Sequence, residues 1–264
     1  DLVDQNKFFA LLAGADQFDL ISFEEKWFQA HAAKHSIGRA ARFKPLTELQ
    51  QLCDKGALPL HSGSQLVGAF EAAHEEDTSL AAEVLLENLS GKVSAAHALR
   101  LVLAQLALKP DDIDFVISCS EEAVGDRYNR GGGNLAKAIA EDVGCGNASG
   151  CDVKAFCAGP MYAMVQAASM IQAGVVKRVA VVAGGSLAKL GMKFESHLKK
   201  NMPVLEDMLG SFAAILSAAQ PGQVCMRLDS AAFHPVRAGG SAQAMAEELA
   251  EKALAKIGMK LTDV

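Results

Sequence analysis

Two hydrophobic rhythms alternate along the chain from Asp77 onward. Across residues 78–106, TSLAAEVLLENLSGKVSAAHALRLVLAQL, apolar positions recur every three or four residues, which predicts a long helix with Asp77 or Thr78 as its N-cap. Short strand-like runs follow at 113-IDFVISCS-120, 151-CDVKAFC-157, 178-RVAVVAGG-185, 211-SFAAILSA-218 and 224-VCMRLDSAAFH-234. Helical patterns separate several of them, at 133-GNLAKAIAEDVG-144 and 158-AGPMYAMVQAASMIQAG-174. Strands alternating with helices predict a layered α/β domain built on a mixed, mostly parallel sheet.

Residues 1–76 keep neither rhythm for long. FFALLAGADQFDLISFEEKWF, residues 8–28, reads as helical, and Pro45, Gly56, Pro59 and Gly63 then break the chain into short pieces. Alternating polarity around Ser62-Gly63 in 57-ALPLHSGSQLVGAF-70 predicts a small hairpin. The expected organisation is therefore a mainly helical extension or domain remnant over 1–76 and a main domain over 77–264.

An internal echo links two parts of that main domain. Set beside each other, 103-LAQLALKPDDI-113 and 254-LAKIGMKLTDV-264 share Leu, Ala, Lys and Asp at an offset of 151 residues, with conservative changes at Leu106/Ile257, Leu108/Met259 and Ile113/Val264. The first copy ends a helix and leads into a strand. The second reaches the last residue at the same point, which predicts a duplicated fold represented by its first half and the start of its second.

A chain of 264 residues, half of them apolar, can bury a large core. No stretch nears the roughly 20 apolar residues of a membrane span, and DLVDQNKFF carries neither the basic region nor the cleavage site of a secretory signal. A cytoplasmic protein with no membrane partner is expected. Cys53, Cys119, Cys145, Cys151, Cys157 and Cys225 lie mostly in apolar or glycine-rich segments, which suits reduced thiols better than a disulfide framework. A net charge of −6 with no basic run longer than Lys199-Lys200 gives no footprint for nucleic acid.

The chemistry-bearing stretch is 152-DVKAFCAGPMYAM-164. A cysteine that closes a strand and precedes a sharp turn into a helix is presented at the carboxyl edge of a sheet, where α/β proteins bind ligands. The positive helix end favours the thiolate of Cys157, and the amides of Ala158 and Gly159 are placed to hold an oxyanion on a thioester. Pro160 fits the first helical turn, where its missing N–H costs little. The other reading is a buried, inert small hydrophobe.

Weaker candidates surround it. Gly131, Gly132 and Gly133 precede a helix and offer either a phosphate loop or a tight structural turn. Gly184, Gly185 and Ser186 form a close-approach loop that either faces substrate or makes a turn. Glu121 and Glu122 follow a strand at the sheet edge and are candidates for acid/base work or for simple solvation. Cys145, Cys151 and Cys157 are six apart, which matches neither zinc nor iron–sulfur spacing, so no metal is expected. His197, in a polar stretch, reads as solvated.

The run DVKAFCAGPMYAM, with 180-AVVAGGS-186 and 209-LGSFAAILSA-218, resembles the first half of the thiolase-like condensing enzymes, ketoacyl-ACP synthase III above all. The longer phrases 119-CSEEAVGDRYNRGGGNLAKAIAEDVGCGNASGCDVKAFCAGP-160 and 182-VAGGSLAKLGMKFESHLKKNMPVLEDMLGSFA-213 resemble the component C beta subunits of glycine/sarcosine/betaine reductase complexes. The resemblance implies a duplicated thiolase-like fold whose first half carries the nucleophilic elbow at Cys157. In the condensing enzymes a His and a His or Asn from the second half complete the site, and those positions are not in this chain. The reductase resemblance implies transfer of a group from a carboxymethyl-selenoprotein, component A, to a protein-bound acetyl thioester. Phosphate as co-substrate then releases acetyl phosphate, and no cofactor is tightly bound. It also implies a component C alpha subunit as partner, which can itself carry the reactive cysteine, while thiolase-like packing across the central sheets implies a homodimer or an alpha-beta oligomer. Two further readings stand beside it: a synthase III-like condensing enzyme using coenzyme A, and a non-catalytic thiolase-like scaffold that binds the alpha partner.

Overall fold

A computed structural model of the chain describes residues 4–120, 134–185, 199 and 210–264. The N-terminal region begins with helix α1 (Gln5–Ala15), capped by the Asp4 carboxylate, which accepts from the Lys7 N–H at 2.9 Å. Strand β1 (Ile21–Phe23) and helix α2 (Glu25–His31) follow, so the run expected to be one helix is broken in two. The break has a local cause. The Asp16 carboxylate accepts from the Phe18 and Ile21 N–H groups at 3.3 and 2.8 Å, and Asp19 takes a left-handed φ of 59°, which closes the chain into a turn.

Helix α3 (Leu46–Asp54) leads into the expected hairpin, β2 (Leu58–Ser62) and β3 (Gln65–Phe70), which turns through Gly63 at φ 59°. β1 joins its free side to give an antiparallel sheet ordered β1-β3-β2. Phe9, Phe23, Trp27 and Phe28 cluster over it, with the Phe23 and Phe28 ring centroids 5.1 Å apart. The same core continues through Leu80, Leu85, Leu89 and Val93, so the extension packs on the first half of the long helix.

That helix, α4 (Ala82–Gln105), is buried without interruption from Asn88 to Leu99, which explains why its apolar stripe is so broad. Asp77 does act as a cap, but for a short 3₁₀ turn (Thr78–Leu80), where its carboxylate accepts from Ser79; α4 itself starts after Ala81 without a side-chain cap.

The main domain then alternates as expected: β4 (Phe115–Ser118), α5 (Leu135–Val143), β5 (Ser149–Asp152), α6 (Gly159–Gln172), β6 (Arg178–Ala183) and β7 (Phe212–Ser217). The sheet is ordered β5-β4-β6-β7, with β5, β4 and β6 parallel and β7 antiparallel to β6. Successive side chains point to opposite faces. Val116, Ala180 and Val182 pack with α4 and α5 on one side, while Ile117, Val179 and Val181 meet Ala163 and Ala167 of α6 on the other. Helices on both faces account for strands that read as apolar throughout.

The run 224–234 forms no strand. It carries a 3₁₀ turn (Leu228–Ser230), and Val224 stands fully exposed. Among the described residues no strand pairs with it, and alternating polarity without a partner edge does not make a strand.

The internal echo is structural as well as sequential. Leu108 N donates to Leu103 O at 2.9 Å and Met259 N to Leu254 O at 3.0 Å. Lys109 N meets the Asp112 carboxylate at 2.8 Å, and Lys260 N meets that of Asp263 at 2.7 Å. Ala107 and Gly258, at equivalent places, both take a left-handed φ, 52° and 72°.

Candidate active site at the carboxyl edge of the sheet

The carboxyl ends of β4, β5 and β6 bring three segments together. The first is the end of β4 itself, Ser118-Cys119-Ser120, which is buried. Cys119 N and Sγ both donate to Val182 O, at 2.8 and 3.3 Å, tying it to β6.

The second segment carries Cys157. β5 begins two residues earlier than expected and ends at Asp152, so Cys157 does not close the strand. Val153 N extends the ladder by one bond to Ser118 O at 2.8 Å, and the chain then crosses to a single 3₁₀ turn, Phe156–Ala158. Phe156 holds a left-handed φ of 48° with its ring exposed, a conformation that costs a non-glycine residue on the order of 1 kcal/mol. Cys157 is exposed on this turn, directly in front of α6, with Pro160 in the first helical turn and no side-chain cap at Ala158. The thiol thus stands at the positive end of a helix, the placement expected from the sequence. The amides are arranged differently. Ala158 N donates to Ala155 O at 3.1 Å and Gly159 N to Phe156 O, because a 3₁₀ turn uses its own N–H groups, so both are engaged here rather than facing an oxyanion.

Beside the turn lies an open cleft of about 530 Å³ lined by Val153, Lys154, Ala155, Tyr162, Val165 and Gln166. The elbow rests on the end of β4: a Cβ at Gly159 would stand 3.3 Å from that of Cys119, and Lys154 Nζ donates to Ser120 O at 2.5 Å.

The third segment is Gly184-Gly185 after β6. Gly184 N donates to Ser120 Oγ at 2.7 Å and Gly185 N to Ser94 Oγ at 3.0 Å. The close approach made here is to the backbone of α4, which favours the turn reading over a substrate loop for these two glycines. Ser118 and Ser120 belong to no motif; the signal the sequence offers is a pair of hydroxyls flanking Cys119 at a strand end.

At α5 the Asp152 carboxylate accepts from Leu135 N and Ala136 N at 3.0 and 2.9 Å, and Asn134 Oδ1 accepts from Lys137 N at 2.8 Å. The first amides of this helix are therefore held by a carboxylate, and an anion such as phosphate gains nothing from them. Gly131, Gly132, Gly133, Glu121, Glu122, Ser186 and His197 lie outside the described residues.

The six cysteines are free thiols. Burial pushes Cys53, Cys119 and Cys151 up from the usual thiol range, and burial reinforced by Asp111 pushes Cys145 up to about 11. Among the described residues no group of three or more His, Cys, Asp or Glu side chains is placed to hold a metal ion, and no helix is long and apolar enough to cross a membrane.

Residues 151–232, which include Cys157 and the loop after β6, match the family model of 3-oxoacyl-[acyl-carrier-protein (ACP)] synthase III. The chain is 40% identical over 273 aligned residues to the glycine/sarcosine/betaine reductase complex component C subunit beta of Peptoclostridium acidaminophilum; the match covers 100% of this chain and 53% of that protein. It is 34% identical over 98 residues to beta-ketoacyl-[acyl-carrier-protein] synthase III of Listeria monocytogenes serotype 4b (strain F2365), covering 36% of this chain and 29% of the synthase. The chain therefore spans about half the length of the reductase subunit and less than a third of the synthase. Among solved structures, acetamide-bound OleA of Xanthomonas campestris aligns with 48% of this chain and 41% of its own at a TM-score of 0.38 and 18% identity. Along its whole length the chain is thus a relative of the component C beta subunit of glycine/sarcosine/betaine reductase complexes, and the segment bearing Cys157 is of the thiolase-like, synthase III kind.

Proposed function

We propose that the chain is the beta-type subunit of component C in a cytoplasmic glycine, sarcosine or betaine reductase complex, and that Cys157 carries its acyl group. In this reading residues 77–264 form the thiolase-like domain and 1–76 an extension on it. The selenium–carbon bond of a carboxymethyl-selenoprotein breaks as its selenium forms a selenide–sulfide bond with a thiol of that protein, which supplies the two electrons. The two-carbon unit gains hydrogen at its methylene, its carboxyl loses water, and the Cys157 sulfur bonds to the resulting carbonyl as an acetyl thioester. A phosphate oxygen then attacks the thioester carbonyl; the C–O bond forms, the C–S bond breaks, and acetyl phosphate leaves the free thiolate behind. The single observation that supports this most is the exposed Cys157 on a strained turn at the positive end of α6, within a match that covers the whole chain. For the Ala158 or Gly159 amide to hold the carbonyl oxygen, the Phe156–Ala158 turn must release it, which on this arrangement couples the acyl group to the turn.

That same engagement of both amides favours a second reading, in which this subunit is a thiolase-like scaffold and an alpha partner carries the acetyl group. Phe156, Met161 and Tyr162, exposed around the elbow, suit burial against such a partner. The readings separate when the assembled complex is turned over with isotopically labelled substrate in the absence of phosphate and each cysteine peptide is weighed. A labelled acetyl group on the Cys157 peptide that is discharged by added phosphate supports the acyl-carrier reading. Label on the alpha subunit with an unmodified Cys157 overturns it in favour of the scaffold.

A further inference from the structure

We propose that Ser120 is a positioning residue for Cys157, acting as the latch that fixes the end of β4 beneath the elbow; this rests on Cys157 being the acyl carrier. The elbow meets the β4 end at three points. Val153 N donates to Ser118 O at 2.8 Å, Gly159 packs on Cys119, and Lys154 Nζ donates to Ser120 O at 2.5 Å. These contacts sit on both sides of the Phe156–Ala158 turn, so a shift of residues 118–120 moves the turn as a whole.

Past the Cys119 bonds to Val182 O, the β4 end has left the ladder by Ser120, and there the serine hydroxyl joins it to the residues after β6. Ser120 Oγ accepts from Gly184 N at 2.7 Å and from Ser118 Oγ at 3.2 Å, and Ser120 is 2% exposed. Gly184 is in turn fixed against α4 through Gly185 N and Ser94 Oγ at 3.0 Å. The hydroxyl thus connects the helix layer on one face of the sheet to the nucleophile turn at its edge. Removing it leaves the Gly184 N–H without its acceptor and loosens Ser120, the last residue of the strand end that carries the elbow.

The test is the pH profile of iodoacetamide alkylation at Cys157, read by peptide mass spectrometry on the full chain for S120A, S120T and L49A. Leu49 is buried in α3, which packs on β3 of the N-terminal sheet, so L49A controls for a general loss of stability. The expected result is that S120A displaces the Cys157 profile and lowers its rate at neutral pH several-fold, because the shifted turn takes the thiol off the positive end of α6. S120T, which keeps the hydroxyl, restores it, and L49A lowers Tm while leaving the profile in place. A wild-type profile in S120A, or an equal displacement in L49A, overturns the proposal. Absence of label on Cys157 in the turnover experiment sinks the acyl-carrier reading instead, and the alkylation profile is read independently of it.

Discussion

Gly184 and Gly91 meet backbone to backbone: a Cβ placed on Gly184 would lie 1.8 Å from the carbonyl oxygen of Gly91. A contact that close leaves room for hydrogen alone. Gly184 and Gly185 therefore sit directly on α4, and the serine latch works because Gly184 and Gly91 permit it.

Gly184→Ala is expected to destabilise the fold by about 2 kcal/mol or more, since neither backbone can yield without moving a packed helix or a sheet edge. Urea unfolding measures it, and a wild-type midpoint would show that the loop does not seat on α4. Gly210→Ala, where a Cβ meets nothing within 4 Å among the described residues, is the comparison.

The thiols should separate by accessibility and burial. At neutral pH Cys157 and Cys225, both exposed, are expected to alkylate before Cys53, Cys119 and Cys151, with Cys145 last because burial holds its thiol near 11. Timed alkylation with peptide mapping gives the order directly. Early loss of Cys145 would mean that the α5 layer opens on the labelling timescale.

Stability should fall as the solution is acidified through the range of one histidine. Burial in α4, with Lys7 and Arg100 adding positive charge, pushes the His97 imidazole down to about 4. Unfolded, it titrates near 6.5. Between those values the unfolded chain binds the extra proton, so stability is lost as pH drops from about 6.5 and this contribution levels off below about 4. His97→Gln is expected to flatten that part of a Tm-against-pH curve, and an unchanged slope would assign the acid response to other groups.

Asp152→Ala should cost about 1 kcal/mol by uncapping the Leu135 and Ala136 amides, with Asp152→Asn costing less because an acceptor remains. Denaturant midpoints for the pair check it. Equal losses in the two variants would point to the carboxylate charge at the end of α5 as the source.

Much of this architecture is legible in the residues themselves. The short apolar runs of β4 and β6 and the helical spacing of α4, α5 and α6 are local consequences of burial, and they place Cys157 before α6. β1 was hidden, because three residues, Ile21–Phe23, carry too little pattern and the Asp16 turn that isolates them depends on a side-chain geometry. The stretch 224–234 alternates as a strand does but lacks a partner, which sequence cannot supply. The site was legible in its nucleophile and not in its support. The engagement of the Ala158 and Gly159 amides, the Asp152 cap and the Ser120 latch each join residues through tertiary contacts that no spacing announces.

Ala107→Gly tests the repeated turn. Ala107 takes the left-handed conformation that Gly258 takes at the equivalent place, so glycine there should raise stability by a few tenths to about 1 kcal/mol. Chemical denaturation of the single variant reads it, and a loss of stability would mean that the Ala107 methyl packs usefully.

The two copies of that turn also form an internal pair for amide exchange. Leu108 and Met259 donate to matching carbonyls over nearly equal distances, yet the first turn leads to Ile113, with 0% of its surface exposed, and the second to Val264, with 78%. Their deuterium uptake, followed in one sample at one temperature, would separate what a hydrogen bond protects by itself from what the surrounding layer adds.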